Sequence, residues 1–220
     1  MEIIVIITDG SEEMPALFGK HDRVVCKATD GAAIDMVPNA EPFDVQSDAA
    51  LLNQVVLHSK HNEMLLLHQS MTGLWDADGT QTLQEDEHWD RAIQLGLQLL
   101  QAYNTGCGGF GYRKLGNIHN VFPVSTVQPP STHALLVNKE KFIGFVDLPY
   151  HYAVMDFFLR NVHDFGAVPR NNLTHTSLHP FGQHDLPAFE NFESVWGEYL
   201  RTTVHKDGAI YQFKNHAYGV

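Results

Sequence analysis

The chain has 220 residues, of which 44% are hydrophobic and 18% charged, a composition typical of a folded globular protein and not of a disordered one. Its 14 lysine and arginine residues against 26 aspartate and glutamate residues give a net charge of −12, which argues against a broad basic surface for nucleic acid. The two cysteines, Cys26 and Cys107, exclude a disulfide framework. Because the chain also shows no basic leader and no apolar run of membrane length, we expect a cytoplasmic protein with reduced thiols and no membrane segment.

Strands and helices are predicted to alternate in the first half of the chain. IIVIITD reads as a buried strand, and VVC at 24–26 and AIDMV at 33–37 are expected to be short second and third strands. A helix is predicted from Asp48 to His58, with Ser47 as its N-cap. The following segment, EMLLLHQS, predicts a central strand that ends abruptly in polar residues. Such a strand delivers side chains to a site at its carboxyl end.

The second half continues the alternation after a long connection. In chain order we predict a helix at 85–103, a Gly-, Pro-, Asn- and Ser-rich connection at 104–132, a strand at 133–137, a helix at 151–163, a short strand at 165–168 and a last helix that starts at Asn191. No repeat or low-complexity linker interrupts the pattern. The sequence therefore predicts the α/β class and one domain over residues 1–220.

A glycine motif in the connection matches a dinucleotide-binding fingerprint by its letters. Gly106, Gly108 and Gly111 fit the spacing G-x-G-x-x-G. The mechanism of that motif requires a strand before the loop, a helix after it and an acidic residue about 20 positions later. Here a helix precedes the motif, and 126–136 contains no acidic residue. We therefore interpret the segment as a flexible connection.

The opening segment carries a second short resemblance. IIVIITDGSEEMPAL resembles the first strand and acidic turn of the PfpI/ThiJ superfamily, which implies Glu12 or Glu13 as the acid beside a nucleophilic Cys107. That cysteine requires a tight strand-to-helix elbow, whereas GCGGFGY follows a predicted helix. A reactive thiol also requires electropositive surroundings, and only Arg113 and Lys114 are near in sequence. An inert thiol in a glycine-rich loop is the preferred interpretation.

A longer resemblance extends through most of the chain. From Ile3 to about His175, the order and spacing of four segments resemble those of the GT-A glycosyltransferases, in particular the family-2-like group. The segments are IIVIITD, KATDG, AALLNQVVLHSKHNEMLLLHQS and HALLVNKEKFIGFVDLPYHYAVMDFFLRNVHDFGAVPRNNLTHTS. The resemblance implies an α/β GT-A (Rossmann-like) fold in a single domain, with a mixed, mainly parallel sheet flanked by helices. It further implies a nucleotide-binding half at about 1–103 and an acceptor half at about 104–220.

The activity implied is transfer of a sugar from a nucleotide-sugar donor, a UDP-sugar first of all, to a hydroxyl acceptor. A polymer, a glycan or a modified nucleic-acid base would suit an open site as acceptor, and nucleic acid is expected in no other role. The residues that the resemblance implies for nucleotide binding are Thr8, Asp9, Asp30, Asn53 and Ser70. The pair Asp30-Gly31 is also a common turn former. The sequence leaves the oligomeric state open.

The metal motif of the family is altered. Its Asp-x-Asp, which holds Mn²⁺ or Mg²⁺ against the diphosphate, falls on His68, Gln69 and Ser70. The resemblance leaves His68 and His175 as the implied metal ligands. Asp76-Ala77-Asp78 spells the motif about eight residues late, and we interpret it as a solvated turn.

The catalytic residues implied are Asp147, His151 and Asp156. Asp147 lies in a turn that faces the acceptor in the family and would serve as the general base, and His151 is a further candidate base. Asp156 matches the helix Asp of the family, but with Arg160 it can equally form an ordinary i,i+4 ion pair. A retaining mechanism, which needs no protein base, stays open.

Two alternative functions come from other classes. The missing Asp-x-Asp fits a catalytically inactive GT-A-like module that binds a nucleotide sugar. A PfpI/ThiJ-like hydrolase or glyoxalase would use Cys107 and Glu13. The transferase hypothesis requires Asp9, Asp30, His68 and Asp147 to lie around one hollow of diphosphate size at one edge of the sheet.

Overall fold

The computed structural model describes most of the first three quarters of the chain. The described residues are 1–11, 21–75, 86–112, 124–125, 132–165, 168–177, 190–192 and 194–196. Within them, only the backbone is described at 72–75, 86–92, 110–112, 124–125, 162–163, 165 and 168–177.

Nine strands and four helices make up the described fold. The strands are β1 (Glu2–Ile7), β2 (Arg23–Lys27), β3 (Glu41–Phe43), β4 (Glu63–His68), β5 (Met71–Trp75), β6 (Cys107–Tyr112), β7 (Val124–Ser125), β8 (Ala134–Asn138) and β9 (Val168–Ser177). The helices are α1 (Gly31–Met36), α2 (Asp48–His58), α3 (Asp86–Tyr103) and α4 (Tyr150–Phe165), with a 3₁₀ turn at Lys139–Lys141.

The first strands form the parallel part of the sheet. The strand order is β3-β2-β1-β4-β8-β6-β9-β5, and β7 pairs with β9. In the parallel part, Val5 of β1 is in register with Val24 of β2 and with Leu67 of β4. These strands are continuous apolar runs because helices cover both faces of the sheet.

The second half of the chain extends the same sheet through antiparallel pairs. β8 runs antiparallel to β4, with Leu65 opposite Leu136, and β6 runs antiparallel to β8. β9 is parallel to β6, and β5 is antiparallel to β9. The start of β8 therefore lies at the edge where β1, β2, β4, β6 and β9 end. We call it the carboxyl edge.

The core has two layers, one on each face of the sheet. Ile4 and Ile6 of β1 pack with α2 and α4, whereas Val5 and Ile7 point into a second cluster with α1 and α3. This alternation is the period of two expected for a strand with both faces buried. The α/β class predicted from the sequence is confirmed.

Two predicted elements were wrong. Residues 33–37 were expected to be a strand, but 31–36 form helix α1, because the Asp30 side chain caps it by accepting from the Ala33 N–H at 3.0 Å. The connection at 104–132 contains strand β6 at Cys107–Tyr112, whose glycines have low strand propensity. Backbone pairing with β8 and β9 stabilises β6 as a strand in spite of this low propensity.

The other predicted elements follow the predicted order with shifted ends, whereas strands β3, β5 and β7 were not predicted. The helix expected at 151–163 extends over the whole of α4, and the strand expected at 165–168 begins only at Val168. Helical backbone at 190–192 and 194–196 lies where the last helix was predicted. Among the described residues, no helix combines the length and the apolar character needed to cross a bilayer.

Candidate functional site

The turn after β1 is held by a buried glutamine. Gln69 follows β4 directly and is fully buried. Its Oε1 accepts from the backbone N–H groups of Thr8 at 2.6 Å and Asp9 at 3.1 Å, and its Nε2 donates to the Asp9 carbonyl oxygen at 2.6 Å. This side chain continues the sheet pairing beyond the end of β1, so Thr8 and Asp9 have a fixed backbone.

Asp30 joins the same turn from the end of β2. While one carboxylate oxygen caps α1, the other accepts from the Gly10 N–H at 2.8 Å. Gly10 approaches α1 so closely that a Cβ there would lie 2.0 Å from the Ala33 nitrogen. Both carboxylate oxygens of Asp30 therefore shape the turn.

Asp9 is a half-buried carboxylate. It accepts from the Ser11 side chain at 2.6 Å and from the Ser11 N–H at 2.8 Å. These hydrogen bonds to the charged form lower the pKa of Asp9, with a smaller contribution from the positive charge of Lys27. The turn consequently carries a fixed negative charge beside exposed Ser11.

His68, the last residue of β4, is buried between two hydroxyls. Its Nε2 lies 3.0 Å from Thr8 Oγ1 and its Nδ1 lies 2.7 Å from Ser70 Oγ. The Ser70 N–H also donates to Nδ1 at 3.2 Å, and Ser70 is itself buried. Thr8, Asp9, Asp30, His68 and Ser70 are thus parts of one connected hydrogen-bonded cluster at the carboxyl edge.

Two further histidines reach this cluster. The ring of His133, just before β8, lies 5.6 Å from that of His68, and the ring of His151, on α4, lies 4.9 Å from it. Sequence analysis proposed His151 as a base and missed His133. The antiparallel pairing of β4 with β8 brings His133 beside His68, and no local sequence signal reveals that register.

The turn at 144–147 is a second part of the candidate site. Asn53 binds the Phe145 backbone twice, donating to its carbonyl oxygen at 2.9 Å and accepting from its N–H at 2.8 Å. Arg160 donates to the Gly144 carbonyl oxygen at 2.6 Å, and Gly144 takes a φ of 78° that favours glycine. Asp147 at the end of this turn is exposed.

Helix α4 connects the turn to the cluster. The ring of Tyr150, its first residue, lies 4.6 Å from the ring of His68. Three residues of chain span at most about 11 Å, which bounds the Cα separation of Asp147 and Tyr150. Asp9, Asp30 and His68 therefore lie in one cluster. Asp147 lies on a neighbouring turn just before helix α4, and the first residue of that helix contacts His68.

Asp156 is a buried carboxylate with two partners. It accepts from Arg160 Nε at 2.6 Å and from Trp196 Nε1 at 2.7 Å. The i,i+4 ion pair considered from the sequence is therefore present. Since Arg160 also holds the Gly144 carbonyl oxygen, Asp156 contributes to the position of the 144–147 turn.

His175 lies near the end of β9, at the carboxyl edge. β8 and β6 separate β9 from β4, so three strand spacings, about 14 Å, lie between the two backbones. Asp76, Asp78 and the acids at 12–13 lie outside the described residues, as does the side chain of His175.

Cys107 is a buried thiol in the core. It is fully buried at the start of β6, in a strand where a loop was expected. Burial raises its pKa well above the ordinary value. Since the G-x-G-x-x-G segment is a paired strand from 107 to 112, it does not form a phosphate-binding loop before a helix.

Comparison with known proteins finds likeness at the level of fold. No protein-family model matches the chain, and no curated protein matches its sequence. The crystal structure of S. aureus TarS 1-349 superposes on 100% of this chain and 72% of that chain, with a TM-score of 0.54 and 10% sequence identity. The structure of the same protein in complex with UDP-GlcNAc gives a TM-score of 0.54 and 11% identity, over 100% of this chain and 73% of that chain.

The fold is that of a GT-A glycosyltransferase. This confirms the predicted fold class, an α/β fold with a mixed sheet between helices. At this identity the likeness establishes the fold and leaves the activity to be inferred from the site.

The residues at the end of β4 do not fit the divalent metal that the sequence resemblance implies. Mg²⁺ and Mn²⁺ prefer carboxylate and water oxygens. His68, Gln69 and Ser70 offer no carboxylate, and each of them is buried and hydrogen-bonded within the protein. Among the described residues, Gln69 at this position holds the β1 turn, and no carboxylate stands where the resemblance implies the metal motif.

Proposed function

We propose that the protein is a family-2-like glycosyltransferase that transfers a sugar from a UDP-sugar to a hydroxyl acceptor. The observation that carries the proposal is the fold likeness over the whole chain to a protein whose structure was solved with UDP-GlcNAc. The connected polar cluster at the carboxyl edge supports it, because ligands of open α/β sheets bind outside the carboxyl ends of the strands.

The nucleotide is proposed to bind at the turn after β1. Thr8 and Asp9 are half-buried, their backbone is fixed by Gln69, and their side chains are oriented by His68 and Ser11, so they would meet a nucleotide in a set geometry. Asp9 stays ionised and can accept from an N–H of the base. Asp30, Asn53 and Ser70 are proposed as positioning residues, because their polar atoms already hold the two turns.

Asp147 is the proposed general base. It is exposed, and its turn is fixed by Asn53 and Arg160, as a base requires if it is to meet an acceptor hydroxyl from solvent. In an inverting transfer the base takes the acceptor proton while the acceptor oxygen attacks the sugar carbon and the nucleoside diphosphate leaves. His151 is kept as the alternative base, and Asp156 as a residue that positions the turn through Arg160.

Several broader predictions accompany this function. We propose a single domain over 1–220, with the nucleotide bound by about 1–103 and the acceptor by about 104–220. The acceptor carries a free hydroxyl on a polymer, a glycan or a modified base. Two buried free cysteines agree with a reducing compartment, for which we propose the cytoplasm. His175 is proposed as a contact for the diphosphate, and no step is assigned to a metal.

The test is a thermal-shift titration with a panel of nucleotide sugars, with and without Mn²⁺, combined with measurement of nucleotide release. We expect one UDP-sugar to raise the melting temperature and to be hydrolysed slowly, with water as acceptor. Because the end of β4 lacks carboxylates, the shift is expected without Mn²⁺. No shift with any nucleotide sugar would contradict the proposal.

The second candidate is an inactive GT-A-like module. It is favoured by the side chains of His68, Gln69 and Ser70, which are used to hold the protein and not to neutralise a leaving diphosphate. A donor-specific shift with no nucleotide release at any acceptor or pH would establish this function. The cysteine hydrolase has no accessible nucleophile in Cys107.

A further inference from the structure

Three histidines from separate parts of the chain form a buried cluster at the carboxyl edge. His68, His133 and His151 are 4%, 1% and 7% exposed. One ring nitrogen of each lies within 4.8 Å of a ring nitrogen of the other two. Each His comes from a different element: the end of β4, the residue before β8 and the first turn of α4. We call these residues the histidine cluster.

The backbone of the cluster is fixed by the fold. The His68 N–H donates to the His133 carbonyl oxygen at 2.8 Å, which continues the pairing of β4 with β8. The rings of His133 and His151 lie 4.7 Å apart, so the third imidazole packs against the first two. Three rigid elements therefore converge on one point, as precise ligand sites require.

The donor set selects a class of ion. Three imidazole nitrogens suit Zn²⁺ and similar divalent transition-metal ions such as Co²⁺, whereas Mg²⁺ and Ca²⁺ prefer oxygen ligands. In a tetrahedral site with Zn–N bonds of about 2.0–2.1 Å, ligand nitrogens lie about 3.3 Å apart. The rings therefore have to approach one another by at most about 1.5 Å, which side-chain rotation can supply.

Hydroxyl groups around the cluster resemble the outer hydrogen bonds of metal-bound histidines. Such histidines usually engage their second ring nitrogen with a protein group, which fixes the ring orientation. Thr132 Oγ1 lies 2.6 Å from His151 Nδ1, so Nε2 of that ring would be its ligand atom. His68 has a hydroxyl at each nitrogen, Thr8 at Nε2 and Ser70 at Nδ1, and one of the two would have to rotate away for an ion to bind.

A buried tyrosine whose ring packs against the cluster carries an unpaired hydroxyl. Tyr150 is 3% exposed, and its hydroxyl has no hydrogen-bond partner among the described residues. Its ring lies 4.6 Å from the His68 ring and 5.2 Å from the His151 ring. Leaving a buried hydroxyl unpaired costs about 1–3 kcal/mol, so an ion or its bound water beside it would remove a penalty.

We propose that His68, His133 and His151 bind one transition-metal ion of the Zn²⁺ class. The site differs from the carboxylate-bound metal implied by the sequence resemblance in its ligands and in its ion. It does not depend on the proposed transfer activity, since a buried ion would stabilise the fold with or without catalysis. Ligation of His151 would also remove that imidazole from the candidate bases.

The experiment is a titration of the metal-free full chain with Co²⁺, followed by its visible absorption, together with X-ray absorption of the Zn²⁺ form. We expect one Co²⁺ per chain with the intense bands of a tetrahedral site. For Zn²⁺ we expect three imidazole nitrogens at about 2.0–2.1 Å. A large excess of Mg²⁺ should not displace Co²⁺.

Two variants and one control connect the signal to the cluster. His133→Asn and His151→Gln should each weaken Co²⁺ binding by at least about a hundredfold, because even outer-sphere partners are worth 10–100-fold. His61→Asn changes an exposed histidine and should bind as the parent does. Unchanged binding in both cluster variants, or a Zn²⁺ ion surrounded only by oxygen, would overturn the proposal. The absorption measurement on the parent keeps the test decisive if a variant fails to fold.

Discussion

The two turns at the carboxyl edge use their polar side chains differently. At the turn after β1, Gln69 and Asp30 are directed inward and bind backbone groups, and Gln69 does so at the position where the sequence resemblance implied a metal motif. At the 144–147 turn, Asn53 and Arg160 hold the backbone from behind, and Asp147 remains exposed. The side chains of the first turn are used to hold its backbone, and the second turn presents an exposed carboxylate.

In the proposed site, different residues therefore contribute to folding stability and to the reaction. Substitution of Gln69 or Asp30 at the first turn should destabilise the protein, whereas substitution of the exposed acid at the second turn should change the reaction alone. A carboxylate with free access to solvent is also the less costly group to replace, because it leaves no buried partner unpaired.

The largest expected effect is on the reaction rate of Asp147→Asn. Loss of a general base lowers the rate by about 10²–10⁴-fold, and nucleotide release from the UDP-sugar measures it. Donor binding should be unchanged, and stability should change by no more than about 0.5 kcal/mol. Asp44→Asn, at another exposed position, is the matched control. Equal rates for the two variants would assign the base elsewhere, with His151→Gln as the next variant.

Gln69→Ala should produce the largest loss of stability. It removes three hydrogen bonds of a fully buried side chain and leaves the Thr8 and Asp9 backbone unpaired, at a cost of about 3 kcal/mol. Denaturant unfolding measures the loss. Gln94→Ala, on the exposed face of α3, should stay within about 0.5 kcal/mol. A similar small change in both variants would mean that Gln69 does not hold the turn.

Asn53→Ala should have an intermediate effect, because it removes the two bonds to the Phe145 backbone. We expect a loss of about 2 kcal/mol in unfolding free energy and a lower rate of nucleotide release, since the turn that carries Asp147 loses one support. Asn62→Ala, whose amide makes an exposed contact with Glu140, is the control. If Asn53→Ala weakened donor binding without loss of stability, the residue would touch the nucleotide directly.

Cys107→Ala should have the smallest effect on function. The thiol is buried and its pKa is raised, so nucleotide release is expected to stay within about twofold of the parent. A thiol reagent should leave both cysteines unmodified until the protein is unfolded, since both are buried. Complete loss of activity in a folded Cys107→Ala protein would instead favour the cysteine hydrolase.

Local signals in the sequence predicted the local elements. Helix α2 begins and ends where Ser47 and the apolar spacing placed it, and β1 and β4 follow their apolar runs. Helix α1 was mistaken for a strand because its residues suit both states, and the decisive contact is the Asp30 cap. Strand β6 was missed because its glycines form a strand only through distant partners.

The candidate site was predictable only in part. The carboxyl ends of β1, β2 and β4 could be foreseen as one edge, because parallel strands end together. The position of His133 could not be foreseen, since its place beside His68 depends on the register of an antiparallel strand some 65 residues later. The roles of Gln69 and Asn53 as supports of backbone turns likewise arise from contacts that have no sequence pattern.

The central claim is that the turn after β1 binds a nucleotide sugar. A crystal structure of the protein with a saturating UDP-sugar tests it most directly. The account predicts the uridine against Thr8 and Asp9, at the carboxyl ends of β1 and β2, with the sugar facing Asp147. A nucleotide bound elsewhere in the molecule, or a crystal that takes up none at saturating concentration, would contradict it.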